Sequence, residues 1–196
     1  MIPAFNHSHV LPPFLGESST VASSQSSPYM MTMLELIQRC AHLPDRARLM
    51  QGLLDYRAKL ASLGLLRGFQ WLDGSFAEDI EAHEQRAPRD IDLVTFAYSP
   101  VGLSSPQIIQ LMVANPELFD RVEAKVRFGC DVFLVPLDKS PENLVKRTSY
   151  YFGVFSHRRS DHVWKGLLQV PLESDDALAR DLLNNLTSGV DHASTA

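Results

Sequence analysis

Between Pro44 and Gly64 the apolar positions Leu49, Leu53, Tyr56, Leu60 and Leu63 recur at intervals of three and four, with Arg46, Arg48, Arg57 and Lys59 elsewhere on the wheel. That spacing predicts an amphipathic helix. Pro44 suits its first turn, Asp45 adds a favourable first-turn charge, and Gly64 ends it as a cap. A shorter helix is predicted before it, from about Tyr29 to Ala41. Beyond Gly64 the periodicity changes. Gly68–Leu72 and Ile91–Ala97 are short runs rich in strand formers, and a third covers Val126–Leu137. Ser105-Pro106 opens a helix over Gln107–Ala114, and Ser140-Pro141-Glu142 opens another toward Thr148. Tyr150–Phe155 and Lys165–Val170 are predicted as further strands. Ser174-Asp175-Asp176 then caps a last helix that puts Leu178, Leu182 and Leu186 on one face.

The first 28 residues obey neither periodicity. Pro3, Pro12, Pro13 and Pro28, with the Ser/Thr-rich run Ser18–Ser27, predict an extended, partly flexible arm. Its apolar pieces, Ile2–Phe5 and Val10–Leu15, suit a role covering the domain surface or a sheet edge. Residues 29–196 are then expected to form a single domain, since 196 residues suffice for one substantial core and are short for two. The 45% hydrophobic and 21% charged shares are those of a soluble globular protein. No apolar run reaches the roughly 18 residues that would span a bilayer, and no basic region precedes an apolar block. A cytoplasmic protein with no membrane partner is therefore expected. Cys40 and Cys130 stand far apart, which favours buried free thiols over a disulfide or zinc framework. A net charge of −5 gives no general attraction to nucleic acid, so any RNA contact requires a local basic patch.

The chemistry concentrates in Trp71-Leu-Asp-Gly-Ser-Phe76 and Pro88-Arg-Asp-Ile-Asp-Leu-Val-Thr-Phe96. Gly74 and Ser75 fall where a strand stops and a helix can start. Glycine permits a tight turn, and the serine hydroxyl with neighbouring amides can hold phosphate oxygens. Asp90 and Asp92 begin a strand two residues apart, so both carboxylates share a face. Their mutual repulsion is relieved by a divalent cation, and oxygen-only ligands suit Mg²⁺ or Mn²⁺ rather than zinc. Asp131, entering an apolar strand, is costly to bury without a partner or metal. Arg158, Arg159 and Lys165, with His157, form a basic cluster that reads either as contacts to substrate phosphates or RNA, or as a charged loop. Arg86 and Arg89 either neutralise the acidic pair or contact substrate. Trp71 reads as core.

A glycine-serine turn, an Asp-x-Asp strand and a single Asp on a later strand form a pattern that resembles the polymerase-beta-like nucleotidyltransferase superfamily, over Leu66–Pro136. The resemblance implies an α+β fold, a mixed sheet flanked by helices with the arm and helices preceding it. It implies that Gly74 and Ser75 hold phosphate, that Asp90 and Asp92 bind both of two Mg²⁺ or Mn²⁺ ions, and that Asp131 is the third acid. The reaction so implied moves a nucleoside monophosphate from a nucleoside triphosphate such as ATP to a hydroxyl on RNA, protein or a small molecule. Ile2-Pro-Ala-Phe-Asn6 with Leu11-Pro-Pro13, and Tyr151–Arg159 with Lys165-Gly166, are similar to a bacterial family of nucleotidyltransferase-like proteins whose function is not established. The gap from Ser75 to Asp90 is longer than in minimal antitoxin-type members, and Glu78, Asp79, Glu81 and Glu84 make it acidic. Two alternatives stand beside the enzyme: a weakly active or inactive module that pairs with a partner protein, as in toxin-antitoxin or phage-defence pairs, and a nucleotide second-messenger synthase.

Overall fold

A computed structural model describes residues 2–16 and 25–193, with side chains through residue 188. The elements are β1 (Tyr29–Met30), α1 (Met33–Cys40), α2 (Pro44–Ser62), β2 (Gly68–Asp73), a 3-10 turn (Gly74–Ala77), α3 (Ile80–Glu84), β3 (Ile91–Ala97), α4 (Ser105–Ala114), α5 (Pro116–Phe119), α6 (Arg121–Phe128), β4 (Cys130–Pro136), α7 (Pro141–Phe155), β5 (Leu168–Pro171) and α8 (Asp176–Ala193). The strands form one mixed sheet in the order β1-β5-β2-β3-β4. β2 runs antiparallel to both β5 and β3, while β3 pairs parallel with β4 and β1 with β5.

Strand alternation divides the core in two. Leu72, Ile91, Leu93, Cys130 and Val132 face a large cluster built with Met33, Leu36, Ile37, Leu49, Leu53 and Leu60 of α1 and α2 and with Ala179 and Leu183 of α8. Trp71, Val94, Phe96 and Val135 face the other way, against Leu144, Tyr151, Phe152 and Phe155 of α7. Trp71 is core, as expected. Cys40 and Cys130 are both buried free thiols. Among the described residues, no helix is long and apolar enough to cross a membrane.

Several boundaries depart from the sequence expectation. Tyr29–Met30 is a strand paired with β5 rather than the start of a helix. Helix α1 opens at Met33 because Thr32 and Glu35 exchange a reciprocal capping box. Tyr150–Phe155 is the last part of α7 and not a strand. Its aromatic residues favour strands in isolation, but Leu144, Tyr151 and Phe155 lie on one helical face and bury against the sheet. Val126–Phe128 belongs to α6, whose N-terminus Asp120 caps and whose end is Gly129 at φ +67°, so the strand begins only at Cys130. On α8 the inward residues are Ala179 and Leu183, leaving Leu178 60% and Leu186 42% exposed. The arm does not pair along a sheet edge in its described part. Val10 bridges to Glu78, and Leu11 accepts a hydrogen bond from the Gly166 N–H, so the arm lies on the segments that flank the cleft described below. Residues 17–24 of the serine-rich run lie outside the described residues.

Candidate functional site

The acids meet because of strand register. Asp73, the last residue of β2, stands opposite Asp92 of β3, and Asp92 stands opposite Asp131 of β4. Three carboxylates therefore lie in one row across adjacent strands, with Asp90 two residues before Asp92 on the same face. This is the α7 face, and the acids occupy the end of the sheet where β2 stops and β3 and β4 start. Gly74 turns the chain there with φ +74°, and a Cβ at that position would lie 2.0 Å from Asp92 Oδ2. Only glycine allows the turn to press against that carboxylate. Sequence reasoning did not select Asp73. Its signal was present, since it shares the alternation of Trp71 and directly precedes the turn.

Cations from two directions balance the row. Lys165 is buried to 2% exposure; its ammonium donates to the Gly74 carbonyl (3.1 Å) and to Glu78 Oε1 (2.5 Å), and stands 3.1 Å from Asp73 Oδ1. The last contact is an ion pair without hydrogen-bond alignment, so Asp73 Oδ1 is buried without a hydrogen-bond partner. Burial drives the Asp73 carboxyl up to about 7, against the opposing pull of Lys165. Burial lowers the Lys165 ammonium less than Asp73 and Glu78 raise it, so it is held above its ordinary value. From α6, the Arg121 guanidinium donates to both carboxylate oxygens of Asp131 (2.7 and 2.8 Å), and Lys125 pairs with Asp90. Asp92 alone of the predicted trio has no hydrogen bond or ion pair among the described residues. Burial, then Asp90 and Asp131, raise its carboxyl above the usual range, while Arg159 and Lys165 pull it down.

A cleft of about 300 Å³ opens over this turn, floored by Asp73, Gly74, Ser75 and Asp92 and walled by His157, Arg158, Arg159 and Lys165. The cleft gathers eight candidate residues singled out in the sequence: Gly74, Ser75, Arg86, Asp92, His157, Arg158, Arg159 and Lys165. It does not gather Asp90, Asp131 or Arg89. Two of the cations expected to contact substrate are structural: Lys165 is buried as above, and Arg158 is spent on Asp161 and the Ser8 carbonyl. Arg159 is exposed and has no ion pair among the described residues. Arg86 pairs with Glu84, and Arg89 is exposed, so the acids are neutralised from α6 instead. Sequence reasoning missed Arg121 and Lys125 because it placed part of their helix in a strand. Among the described residues, no three His, Cys, Asp or Glu side chains are grouped to hold a metal ion. The carboxylates have the right donor chemistry for a hard divalent cation, but Asp90 and Asp131 are engaged by ammonium and guanidinium groups.

The model of a family described as Family of unknown function (DUF6932) matches residues 3–171, a span that takes in the whole cleft. No curated protein and no solved structure matches the chain.

Proposed function

The chain belongs to that family of unknown function, and we propose that it is a metal-dependent nucleotidyltransferase with a polymerase-beta-like core. One observation carries the reading: the register that aligns Asp92 with Asp131 sets Asp92 directly against the Gly74-Ser75 turn, where among the described residues its carboxylate has no hydrogen bond or ion pair. The antiparallel β2–β3 pair, the parallel β3–β4 pair and the turn between the first two strands support the resemblance. In this reading Asp90, Asp92 and Asp131 would hold Mg²⁺ or Mn²⁺, which would supply charge neutralisation to a triphosphate and to the oxygens that attack and leave. Arg121 and Lys125 must then release their carboxylates. Their side chains are 56% and 49% exposed, which leaves both room to swing outward. The Ser75 hydroxyl donates to a phosphate oxygen, Arg159 offers its guanidinium from the opposite wall, and Lys165 fixes the Gly74 carbonyl so that the turn keeps its shape. Incubation with each α-labelled nucleoside triphosphate, Mn²⁺ and total cell lysate tests the proposal. Label passes to an acceptor with the native chain and not with Asp92→Ala; equal labelling by both removes the assigned mechanism.

A second reading rests on α6. Arg121 and Lys125 already supply the positive charge that a metal would bring, which favours a nucleotidyltransferase-like module that binds a partner and transfers nothing. In that case the native chain gives no labelled product and binds no divalent cation at the row.

A further inference from the structure

A second depression adjoins the cleft and has a different character. It is an open basin of about 600 Å³ lined by Gly153, Val154, His157, Arg158, Arg159 and His162, and it shares four of these residues with the cleft wall. From it a stripe runs back along the exposed side of α7 through Gly153 and Tyr150 to Lys146, positions spaced three and four apart on one helical face. The opposite side of α7 is packed on the sheet. Tyr150 is 64% exposed, and Trp164, beyond the basin, is 50% exposed. Between Glu142 and Asp161 there is no acidic residue, whereas Lys146, Arg147 and Arg159 lie exposed there, Arg158 being held by Asp161, in a chain whose net charge is −5. A cationic strip carrying exposed aromatic rings is the composition that holds a phosphate backbone while bases stack.

Gly153 adds a separate observation. It lies within α7, where glycine is among the poorest helix formers, yet a Cβ placed on it meets nothing within 4 Å. Packing therefore does not require glycine. What its missing side chain does provide is an open floor between Tyr150 and His157.

We propose that the exposed face of α7, from Lys146 through Tyr150 to Gly153, together with His157, Arg159 and His162 in the segment that follows the helix, is a binding track for a single-stranded polynucleotide that leads its end into the Gly74–Asp92 cleft. Its helical part, from Lys146 to the end of α7 at Phe155, spans about 15 Å at ~1.5 Å per residue. The inference rests on the nucleotidyltransferase reading only for its second half, that the bound strand is the acceptor; the track itself stands without it.

The test is fluorescence anisotropy with an end-labelled, unstructured single-stranded RNA oligomer, using the full chain, Gly153→Glu and Tyr150→Leu. Glutamate is a better helix former than glycine, so Gly153→Glu keeps or raises the melting temperature while placing bulk and negative charge on the floor of the track. The native chain binds the oligomer with an affinity that falls as salt rises, Gly153→Glu weakens it at least ten-fold, and Tyr150→Leu weakens it several-fold. Failure of the native chain to bind at low salt, or equal binding by Gly153→Glu, overturns the track. Polyglutamate competing as well as the oligomer, with no effect of Tyr150→Leu, also overturns it and assigns the strip to an acidic protein. Binding of Mn²⁺-nucleotide is measured in parallel. Oligomer binding without nucleotide binding keeps the track and removes the acceptor role; nucleotide binding without oligomer binding does the reverse to the track alone.

Discussion

The surroundings of Asp73 disfavour its charge, because it is buried, faces Asp92 and has one carboxylate oxygen without a hydrogen bond. Its carboxyl rises from 3.8 to about 7 in the folded chain. A carboxyl that binds its proton more tightly when folded contributes most below its unfolded value, and that contribution is lost as pH rises through the folded value. The metal-free protein is therefore expected to lose stability between about pH 4 and about pH 7 on account of this group. The loss is on the order of a few kcal/mol, at ~1.4 kcal/mol for each pH unit of displacement. Asp73→Asn should flatten that part of a plot of urea midpoint against pH; an unchanged slope would mean that Lys165 holds Asp73 ionised throughout. Asp73 also shows what the chain made legible at this scale. Gly74, Ser75 and Asp92 were readable because turn chemistry and period-two alternation are local. The burial of Lys165, a residue far along the chain, against the Gly74 carbonyl was not, because nothing local to Lys165 announces its partner.

Among the elements, α2 and α6 position the site through charged side chains. Arg46 of α2, expected on the polar side of its helix, is buried. It donates to the Phe76 and Glu78 carbonyls (2.8 and 2.7 Å) and to both carboxylate oxygens of Glu81. It thereby clamps the end of the 3-10 turn to α3. Arg46→Met should cost about 3–5 kcal/mol in denaturant titration, since it strands the Glu81 carboxylate and two carbonyls. A loss within ~0.5 kcal/mol, typical of a surface site, would remove the clamp. For α6 the prediction is about affinity. Arg121→Gln with Lys125→Gln frees Asp131 and Asp90, so Mn²⁺ binding measured by calorimetry should strengthen several-fold over the native chain. Equal or absent binding in both would favour the non-catalytic module. Helix periodicity gave α2 correctly but could not tell a solvated arginine from a buried one with satisfied donors, as Arg57 also shows through its bonds to Asp176, Gln70 and the Pro171 and Leu172 carbonyls. Where strand-forming residues fall in helices, as at Val126 and Tyr150–Phe155, packing against the sheet and capping override local preference.

Across the whole molecule, charge is distributed unevenly. The acid row lies at one end of the sheet, two cations of α6 press on it from one side, and the basic wall at 157–165 faces it across the cleft. The described part of the arm supports that wall: the Ser8 carbonyl accepts from Arg158, the Leu11 carbonyl from Gly166, and the Pro12 carbonyl from the Tyr29 hydroxyl. The mixed sheet flanked by helices was expected from the superfamily resemblance, and helices do pack on both of its faces. The contact between the first residues and the cleft wall was not, because it joins parts of the chain some 150 positions apart. What unites these features is the claim that Asp92, crowded by Asp73, Asp90 and Asp131 and without a hydrogen bond or ion pair among the described residues, is built to meet a divalent cation carrying a nucleotide. Titration of Mn²⁺ and a nucleoside triphosphate into the native chain and Asp92→Asn, followed by the electron-spin signal of free Mn²⁺, tests that claim most directly. Nucleotide-dependent capture of Mn²⁺ by the native chain, lost in an Asp92→Asn protein of equal or higher melting temperature, is the predicted result; no capture by the native chain, or undiminished capture by the variant, would contradict it.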